Sequence, residues 1–475
     1  MSAASNAGLA ESIDQFFKPF SDAVNAIVFY SVPIAGVDLP IVVIWLMLAA
    51  LVLTIALGFI NIRGFGHGFS LITGGKKRDG AGGEITHFEA LSSALSGTVG
   101  LGNIASVPVA IALGGPGAVF WMILAGFFGM SSKFAECALA VKYRRINADD
   151  TVNGGPMYYI EDVFRRRGLG PVGRFAAVFF AIMTIGASVS VFQVNQSYEQ
   201  FELVTKIEAP LIYGAIISGL VAIVILGGIK KIARVTRILV PAMGILYLSA
   251  AAVIILLNVG EIPGVIVDIY RSAFGLEAAG GGMVGALING MKRATYSSEA
   301  GVGSAAIAHA AVKTDEPVTE GYVALLEPFI DTIVVCTVTA LVILVTGAHE
   351  PFLYSTGPLS GISMTSAAFE GTFSWYPVVL LVSVVLFAFS TLVTWAHYGA
   401  QAAGYLFGSS RAVDVTFKLL LCLALSTGAA IQLGSIINFI DSMLFAMAVP
   451  NIIALYLLLP ELRRDVKAYN AKYLA

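Results

Sequence analysis

The chain has 475 residues, of which 57% are hydrophobic and only 12% are charged, and its mean hydropathy is +0.84. A soluble domain carries about a quarter charged residues, so a water-soluble fold of this length is not expected. The net charge of −2 gives no indication of a nucleic-acid partner, and Cys137, Cys336 and Cys422 lack the spacing of a disulfide framework or a metal site. The composition instead predicts an all-α polytopic membrane protein.

The N-terminal segment, residues 1–39, is less apolar than the chain that follows it. It carries Glu11, Asp14 and Lys18 among scattered aromatic residues, which is unlike the basic and then apolar pattern of a cleaved signal peptide. We interpret residues 11–30 as an amphipathic surface helix.

Long apolar runs occupy most of the remaining chain. A helix needs about 20 mostly apolar residues to cross the core of a bilayer. On that criterion the sequence predicts eleven transmembrane helices. They lie at residues 40–60, 86–113, 115–142, 174–199, 209–228, 235–258, 282–310, 321–347, 376–408, 412–432 and 434–459.

The basic residues are distributed unevenly between the predicted loops. If successive helices alternate in direction, most of the 28 Lys and Arg residues fall on one side of the membrane. The exceptions are Lys18, Lys206 and Arg271 on the other side, and Lys133, Lys292 and Arg293 within helices. An excess of Lys and Arg marks the cytoplasmic face, so the N-terminus is predicted outside and the C-terminus inside a plasma (inner) membrane.

Two of the predicted helices contain residues that interrupt helices. Span 86–113 has Gly100 and Gly102 near its middle, and span 282–310 has a polar stretch at 295–304. Backbone groups freed by such breaks are tolerated at membrane depth only where protein or a watery cavity satisfies them. The patterns therefore indicate two broken helices. Close helix contacts through small residues are the alternative.

The positions of the two breaks favour the first interpretation. If the extra first helix, 40–60, is set aside, ten helices remain, with breaks in the first and the sixth. Matching breaks in two halves are typical of an inverted repeat with its binding site between the halves. We predict a five-plus-five repeat of residues 86–258 and 282–459, followed by a cytoplasmic tail, 460–475.

A break in span 86–113 creates groups that bind ions. The half-helix that restarts near Ile104 points its N-terminal dipole at the gap, where a carboxylate fits without any arginine. Carbonyl groups freed near Ser96 and Val99, together with the Ser390 and Thr391 hydroxyls, supply the hard oxygen ligands that an alkali cation needs. Bonding of these hydroxyls to carbonyls of their own helix is the alternative.

Five motifs carry a resemblance to a known family over about residues 40–460. They are LSGTVGLGNIASVP at 95–108, GGPGAVFWM at 114–122, NGGPMYYIED at 153–162, SSEAGVGSAAIAHAA at 297–311 and EPFIDT at 327–332. Together they resemble the alanine or glycine:cation symporters, a family similar in fold to the bacterial leucine transporter. The chain departs from the family pattern at Ile123, commonly a tryptophan, and at Tyr296–Ser298, usually Phe-Ser-Asn.

The resemblance implies a substrate site and a Na⁺ site. The implied substrate-binding residues are Thr98, Gly100, Gly102, Asn103, Gln193, Tyr296, Ser297, Ser298, Thr391 and Trp395. The implied Na⁺ ligands are Ser96, Val99, Phe387, Ser390 and Thr391. Trp395 and Thr391 are four residues apart and share a helix face, and the bulk of Trp395 and Tyr296 favours a substrate with a small side chain.

Charged groups inside a span are candidates for functional roles. Lys133 and Glu136 are three residues apart, which favours a local ion pair. Glu327 and Asp331 share one face of span 321–347. Two roles fit them: binding of a proton or cation, and pairing with Lys292 or Arg293.

The roles of other ionisable groups are less defined by the sequence. Lys292, Arg293 and Glu299 flank the break in span 282–310, and either a backbone-bonding or a gating role fits them. The role of Asp441 stays open. No two of the five histidines have the spacing of haem or metal ligands. This favours single histidines, each with its own hydrogen-bond partner, over haem or metal sites.

The sequence thus predicts a secondary transporter and not an enzyme. The expected activity is symport of alanine or glycine with Na⁺ by alternating access, without a cofactor, and with membrane lipid but no nucleic acid as a further partner. An H⁺-coupled transporter of the same fold and, less favoured, a channel are the alternatives. The sequence gives no oligomeric state.

Overall fold

The computed structural model describes residues 18–19, 22–34, 37–73, 82–148, 150–275, 282–353, 361–431 and 433–474. Residues 22–28 are helical, in agreement with part of the amphipathic helix predicted at 11–30, while 11–17 lie outside the described residues. A short hairpin of β1 (Ser31–Ile34) and β2 (Val37–Pro40) then leads into the first long helix.

Helices account for nearly all of the described chain. In the first half they are α1 (Ile41–Ala56), α2 (Ile60–Arg63), α3 (Phe65–Thr73), α4 (His87–Thr98), α5 (Gly102–Gly114), α6 (Ala118–Tyr143), α7 (Pro156–Arg165), α8 (Gly170–Ser188), α9 (Val191–Thr205), α10 (Pro210–Ile225) and α11 (Gly228–Leu257). A second hairpin, β3 (Arg145–Ile146) with β4 (Val152–Asn153), lies between α6 and α7.

The second half continues in the same way. Its helices are α12 (Ile262–Phe274), α13 (Gly282–Ser298), α14 (Ala305–His309), α15 (Pro317–Val345), α16 (Gly361–Glu370), α17 (Tyr376–Phe407), α18 (Arg411–Thr427) and α19 (Leu433–Tyr473). Short 3₁₀ turns occur at Val259–Glu261, Glu350–Phe352 and Gly428–Ala430. Helix α19 continues through the predicted tail, and Lys230, Lys231 and Arg234 lie within α11 rather than in a loop.

Local sequence explains where several of these helices begin. Thr86 and Glu89 form a capping box at the start of α4, in which the Thr86 side chain accepts a bond from the Glu89 N–H and Glu89 accepts one from the Thr86 N–H. Pro156, Pro210 and Pro317 occupy first-turn positions, where the missing N–H has no helical partner to lose.

Seven helices of the described residues are long and apolar enough to cross a membrane, or nine if each of two bent pairs counts as one span. The bent pairs are α1 with α2–α3, at 64°, and α4 with α5, at 43°. The other two predicted spans correspond to α10, with 16 residues, and to α13 with α14. The architecture confirms a polytopic all-α fold, whereas the count of eleven and the repeat boundaries stay predictions.

Many large apolar side chains face outward from the helices. Ile245 is 71% exposed, Leu256 70% and Ile212 66%. Such surfaces are costly in water, and a bilayer removes that cost.

The two broken helices and their neighbours form one packed unit, the bundle, consisting of α4–α6 and α13–α15. Helix α6 packs against α13, α14 and α15, and α5 packs against α13 and α15. Outside this unit, α4 contacts α11 and α17, while the extra helix α1 contacts α6 and α19. The breaks therefore lie between the bundle and α17, deep inside the molecule.

Candidate functional site

The first broken helix is interrupted at Val99 and Gly100. Val99 leaves the helical conformation at φ −75° and ψ 87°, and α5 resumes with a π-helical turn, Gly102–Ser106. The Gly100 N–H donates to Asn103 Oδ1 at 2.8 Å, and the Leu101 N–H donates to Gln193 Oε1 at 3.1 Å. Side chains thus replace the missing helical acceptors, as a break inside a membrane requires.

The second broken helix is interrupted between Ser298 and Ala305. Glu299 and Gly301 have φ angles of 54° and +88°, a conformation that glycine adopts without a steric penalty and glutamate does not. Asn451 Nδ2 on α19 donates to the Gly301 carbonyl at 2.9 Å. A residue from outside the bundle therefore supplies the hydrogen-bond donor for a backbone carbonyl at this second break.

Gly100, Gln193 and Thr391 meet at the first break. A Cβ atom on Gly100 would overlap Thr391 Oγ1 and lie 3.5 Å from Gln193 Nε2. Thr391 Oγ1 is buried and has no hydrogen-bond partner among the residues that the structure describes, so it does not bond to a carbonyl of its own helix. A buried hydroxyl without a protein partner is costly unless a ligand or water bonds to it.

Ser96 and Ser390 lie next to this group, on α4 and α17. Ser96 Oγ donates to the Ser390 carbonyl at 2.8 Å and lies 2.6 Å from Ser390 Oγ. Val99 and Phe387 are both buried. The arrangement provides hydroxyl and carbonyl oxygens, which are the ligands that hard cations prefer.

A second polar group joins the two broken helices. Asn103 Nδ2 donates to Ser297 Oγ at 2.9 Å and to Asp331 Oδ1 at 2.6 Å, and Ser297 Oγ donates to Asp331 Oδ2 at 2.6 Å. Tyr296 lies beside them, since a Cβ atom on Gly102 would be 3.4 Å from its ring. The sequence analysis did not place Asp331 here. The signal for it in the sequence was the presence of a carboxylate within an apolar span.

Three of the implied site residues make other contacts. The Thr98 and Ser298 hydroxyls donate to Ala94 and Ala294 carbonyls of their own helices. Trp395 Nε1 donates to Glu299 Oε1 at 3.1 Å. No hydrogen bond of the described residues connects these three side chains to Gly100 or Thr391, so their roles stay predictions.

The structure corrects the expected pairing of the buried charges. Lys133 pairs with Glu327 at 3.3 Å rather than with its helix neighbour Glu136, which instead accepts a bond from Asn451 at 2.7 Å. Glu327 and Asp331 do not pair with Lys292 or Arg293. The wrong predictions have one cause, because sequence spacing shows neighbours on one helix but not contacts between helices.

The two cations near the second break have partners outside the bundle. Arg293 forms an ion pair with Asp441 on α19, which gives Asp441 a structural role. The Lys292 ammonium lies 4.0 Å from the centre of the Phe29 ring. Two of the five histidines, His87 and His309, share the carboxylate of Glu320.

An all-helical membrane protein with two broken helices around a buried polar site has the architecture of a secondary transporter. The chain matches the model of the sodium:alanine symporter family over residues 23–475, and it belongs to that family. It is thus a transporter of a sodium-coupled amino-acid symporter family and not an enzyme.

Individual relatives agree with this assignment. The chain is 37% identical over 433 residues to the sodium/alanine symporter AgcS of Methanococcus maripaludis, covering 91% of this chain and 94% of the relative. It is 33% identical over 390 residues to the probable sodium/glutamine symporter GlnT of Bacillus subtilis, covering 81% and 79%. The crystal structure of MhsT in complex with L-phenylalanine has a similar fold, with a TM-score of 0.57, 16% identity and coverage of 80% and 90%.

Proposed function

We propose that this protein carries alanine or glycine across the plasma (inner) membrane together with Na⁺, by alternating access. The observation that carries the proposal is the meeting of the Gly100 break with the partnerless, buried Thr391 hydroxyl. The relative AgcS supports it, since that protein is named a sodium/alanine symporter and shares 37% of its residues with this chain.

The proposed substrate site lies at the first break. The positive end of the α5 dipole receives the carboxylate, which replaces Asn103 Oδ1 and Gln193 Oε1 as the acceptor for the Gly100 and Leu101 N–H groups. Gln193, Thr391, Tyr296 and Trp395 surround the rest of the molecule, with Gly102, Ser297 and the more remote Thr98 and Ser298 at its margin. Two large aromatic side chains leave little volume, which favours a hydrogen or methyl side chain.

The proposed Na⁺ site shares groups with the substrate site. Its ligands are carbonyl oxygens of Ser96, Val99 and Phe387 and hydroxyl oxygens of Ser390 and Thr391. Thr391 belongs to both sites, so a bound ion positions a group that also faces the substrate. Thermodynamic linkage then requires that bound Na⁺ raises the protein's affinity for the amino acid by the same factor by which the bound amino acid raises its affinity for Na⁺.

Movement of the bundle relative to α17 and α19 exposes the site alternately to the two sides. The basic loops favour an external N-terminus and a cytoplasmic C-terminus. Contacts such as Arg293–Asp441 and Asn451–Gly301 join the bundle to α19, and they change when the bundle moves.

Uptake of labelled alanine into proteoliposomes tests the function. We expect uptake that requires an inward Na⁺ gradient, is lost when K⁺ replaces Na⁺, and is competed by glycine but not by leucine or glutamine. Uptake driven equally well by a pH gradient alone favours the H⁺-coupled alternative. Flux that does not saturate at millimolar alanine favours a channel.

Replacing Thr391 by valine tests the Na⁺ site. The substitution keeps the shape of the side chain and removes the hydroxyl oxygen, so the Na⁺ concentration for half-maximal uptake is expected to rise about tenfold or more, because the ion loses one oxygen ligand and about 1.4 kcal/mol corresponds to a factor of ten. The measurement is alanine uptake against Na⁺ concentration. The matched control is Thr184→Val on α8, where the hydroxyl bonds only to the Phe180 carbonyl of its own helix. An unchanged Na⁺ dependence in Thr391→Val contradicts the site.

A further inference from the structure

A row of buried ionisable side chains runs through the bundle, apart from the proposed substrate and Na⁺ sites. We name His87, Glu320, His309, Glu327 and Lys133 the His309 cluster. Its members come from α4, α6, α14 and α15. The side chains of Glu320, His309, Glu327 and Lys133 are fully buried, whereas that of His87 is 21% exposed. The cluster therefore reaches the aqueous phase at the His87 end.

The members are joined in sequence by short contacts. His87 Nδ1 lies 2.5 Å from Glu320 Oε2, and His309 Nδ1 lies 2.6 Å from Glu320 Oε1. His309 Nε2 is hydrogen-bonded to Glu327 Oε1. Glu327 Oε2 lies 3.3 Å from Lys133 Nζ. Both ring nitrogens of His309 thus face a carboxyl group.

The three histidine–carboxyl contacts require a fixed number of hydrogens. Each contact needs one hydrogen between its two heavy atoms. A neutral imidazole carries one N–H, so two neutral histidines supply two hydrogens for three contacts. The third hydrogen is an additional proton, held either as a doubly protonated His309 or on one of the two carboxyl groups. The observed geometry is therefore that of a proton-loaded cluster.

Charge balance agrees with this count. Counted over the five members of the cluster alone, two carboxylates, one additional proton and the Lys133 ammonium sum to zero, so the loaded cluster carries no net charge of its own. Loss of that proton leaves a net negative charge in a buried place, which is unfavourable. The proton is consequently held firmly, and a change of the surroundings is needed for its release.

Other ionisable groups surround the cluster on every side. They are Glu136 and Cys137 on α6, Arg144 beyond its end, Glu299 at the second break, Tyr398 on α17, and His67 on α3 with its partner Tyr469 on α19. Arg144 donates to the Gly82, Ala310, Val312 and Thr314 carbonyls and has no carboxylate partner among the described residues. Glu136 and Glu299 interact with the same Lys133 ammonium as Glu327. Lys133 thus pairs with Glu327 at 3.3 Å and has two further carboxyl groups near enough to attract it.

The position of Glu299, between Lys133 and Trp395, connects the cluster to the movement of the bundle. Glu299 accepts bonds from Ser304 and from Trp395 Nε1, and Trp395 lies on α17, outside the bundle. Movement of the bundle away from α17 removes the Trp395 donor from Glu299. A buried carboxylate that loses a donor attracts the nearby ammonium more strongly, which weakens the hold of Lys133 on Glu327. With less of the ammonium's positive charge at Glu327, the cluster then holds its proton more firmly, and the proton is released when Trp395 returns to Glu299 and Lys133 returns to Glu327.

We propose that the His309 cluster is a proton-binding site that exchanges a proton with the aqueous side reached through His87 as the bundle moves. In release, the proton passes from His309 to Glu320 and through His87 to water. Two neutral imidazoles and two carboxylates then remain. They have two hydrogens for three histidine–carboxylate contacts, so one of the three hydrogen bonds is lost. This inference rests on the proposed function, because it makes Na⁺-coupled alanine transport depend on pH.

The first test measures protons directly. Purified protein in weakly buffered detergent solution with Na⁺ and a pH-sensitive dye receives alanine at several values between about pH 6 and pH 9. The wild-type protein is expected to release or take up a measurable fraction of a proton per alanine, up to about one. His309→Gln is expected to abolish this exchange. His349→Gln, at a histidine outside the cluster, is expected to keep it.

The second test compares transport across the same pH range. Na⁺-driven alanine uptake by the wild type is expected to fall several-fold as the pH rises and the cluster loses its proton, whereas His309→Gln gives a flatter profile. A rise in melting temperature on addition of alanine serves as the check that a variant is folded and binds its substrate. If His309→Gln shows no such rise, Glu320→Gln replaces it in both tests. Wild-type uptake with no pH dependence and no proton exchange overturns the inference and leaves the proposed function intact. Absence of Na⁺-driven uptake at every pH overturns the proposed function instead, and with it the inference that rests on that function.

Discussion

Replacing Gly100 by alanine is expected to reduce Na⁺-driven alanine uptake about fivefold or more, since overpacking a buried site costs about 1–3 kcal/mol and about 1.4 kcal/mol is a factor of ten. The added methyl group would overlap Thr391 Oγ1 and lie in van der Waals contact with Gln193, 3.5 Å from its Nε2 atom. Both neighbours belong to the proposed sites, and Gln193 also bonds to the Leu101 N–H. The measurement is initial uptake in proteoliposomes at a fixed Na⁺ gradient.

Gly244→Ala is the control for this substitution. Gly244 lies within α11, and a Cβ atom there would have no heavy atom within 4 Å. Alanine is preferred over glycine in a helix, so this variant is expected to fold and transport normally. Normal uptake and Na⁺ dependence in Gly100→Ala contradict the placement of the site at the first break.

Replacing Lys133 by methionine is expected to lower the free energy of unfolding by about 3–5 kcal/mol, because the removal of one partner leaves a buried charge uncompensated. Glu327 loses the ammonium at 3.3 Å, and Glu136 and Glu299 lose the same cation. The fall in the apparent melting temperature of the purified protein measures this effect.

Two further variants separate loss of charge from loss of packing. Adding Glu327→Gln to Lys133→Met removes the unpaired carboxylate and is expected to restore part of the lost stability. Lys418→Met is the matched single control, since its partner Asp414 is 43% exposed and stays hydrated when the ion pair is lost. Equal losses at Lys133 and Lys418 would show that the buried charge is not the cause.

The sequence was sufficient for the class of fold and for the positions of the long apolar helices. Apolar runs predicted where helices lie, because a bilayer leaves the backbone no other way to satisfy its polar groups than a helix or a closed barrel. Gly100 and the polar stretch after Thr295 predicted both breaks, and the structure interrupts α4–α5 and α13–α14 there. The motif resemblance predicted the family, which the match over residues 23–475 confirms.

Helix ends were less predictable than helices. Helix α19 runs on to Tyr473, and α11 begins at Gly228 with its basic residues inside the helix. Charged residues are compatible with a helix once it leaves the apolar layer, so hydropathy marks the layer and not the end of the helix.

The sequence by itself determined the class, the two breaks and the set of polar residues available to the site, since each depends on local composition or spacing. Only the tertiary structure decided which of those residues meet. It placed Asp331 beside Asn103, paired Lys133 with Glu327 instead of Glu136, and brought His87 and His309 to one carboxylate. The physical reason is that a buried charge or hydroxyl takes its partner from whichever helix packs against it, and the packing of distant helices is not written in the spacing along any one of them.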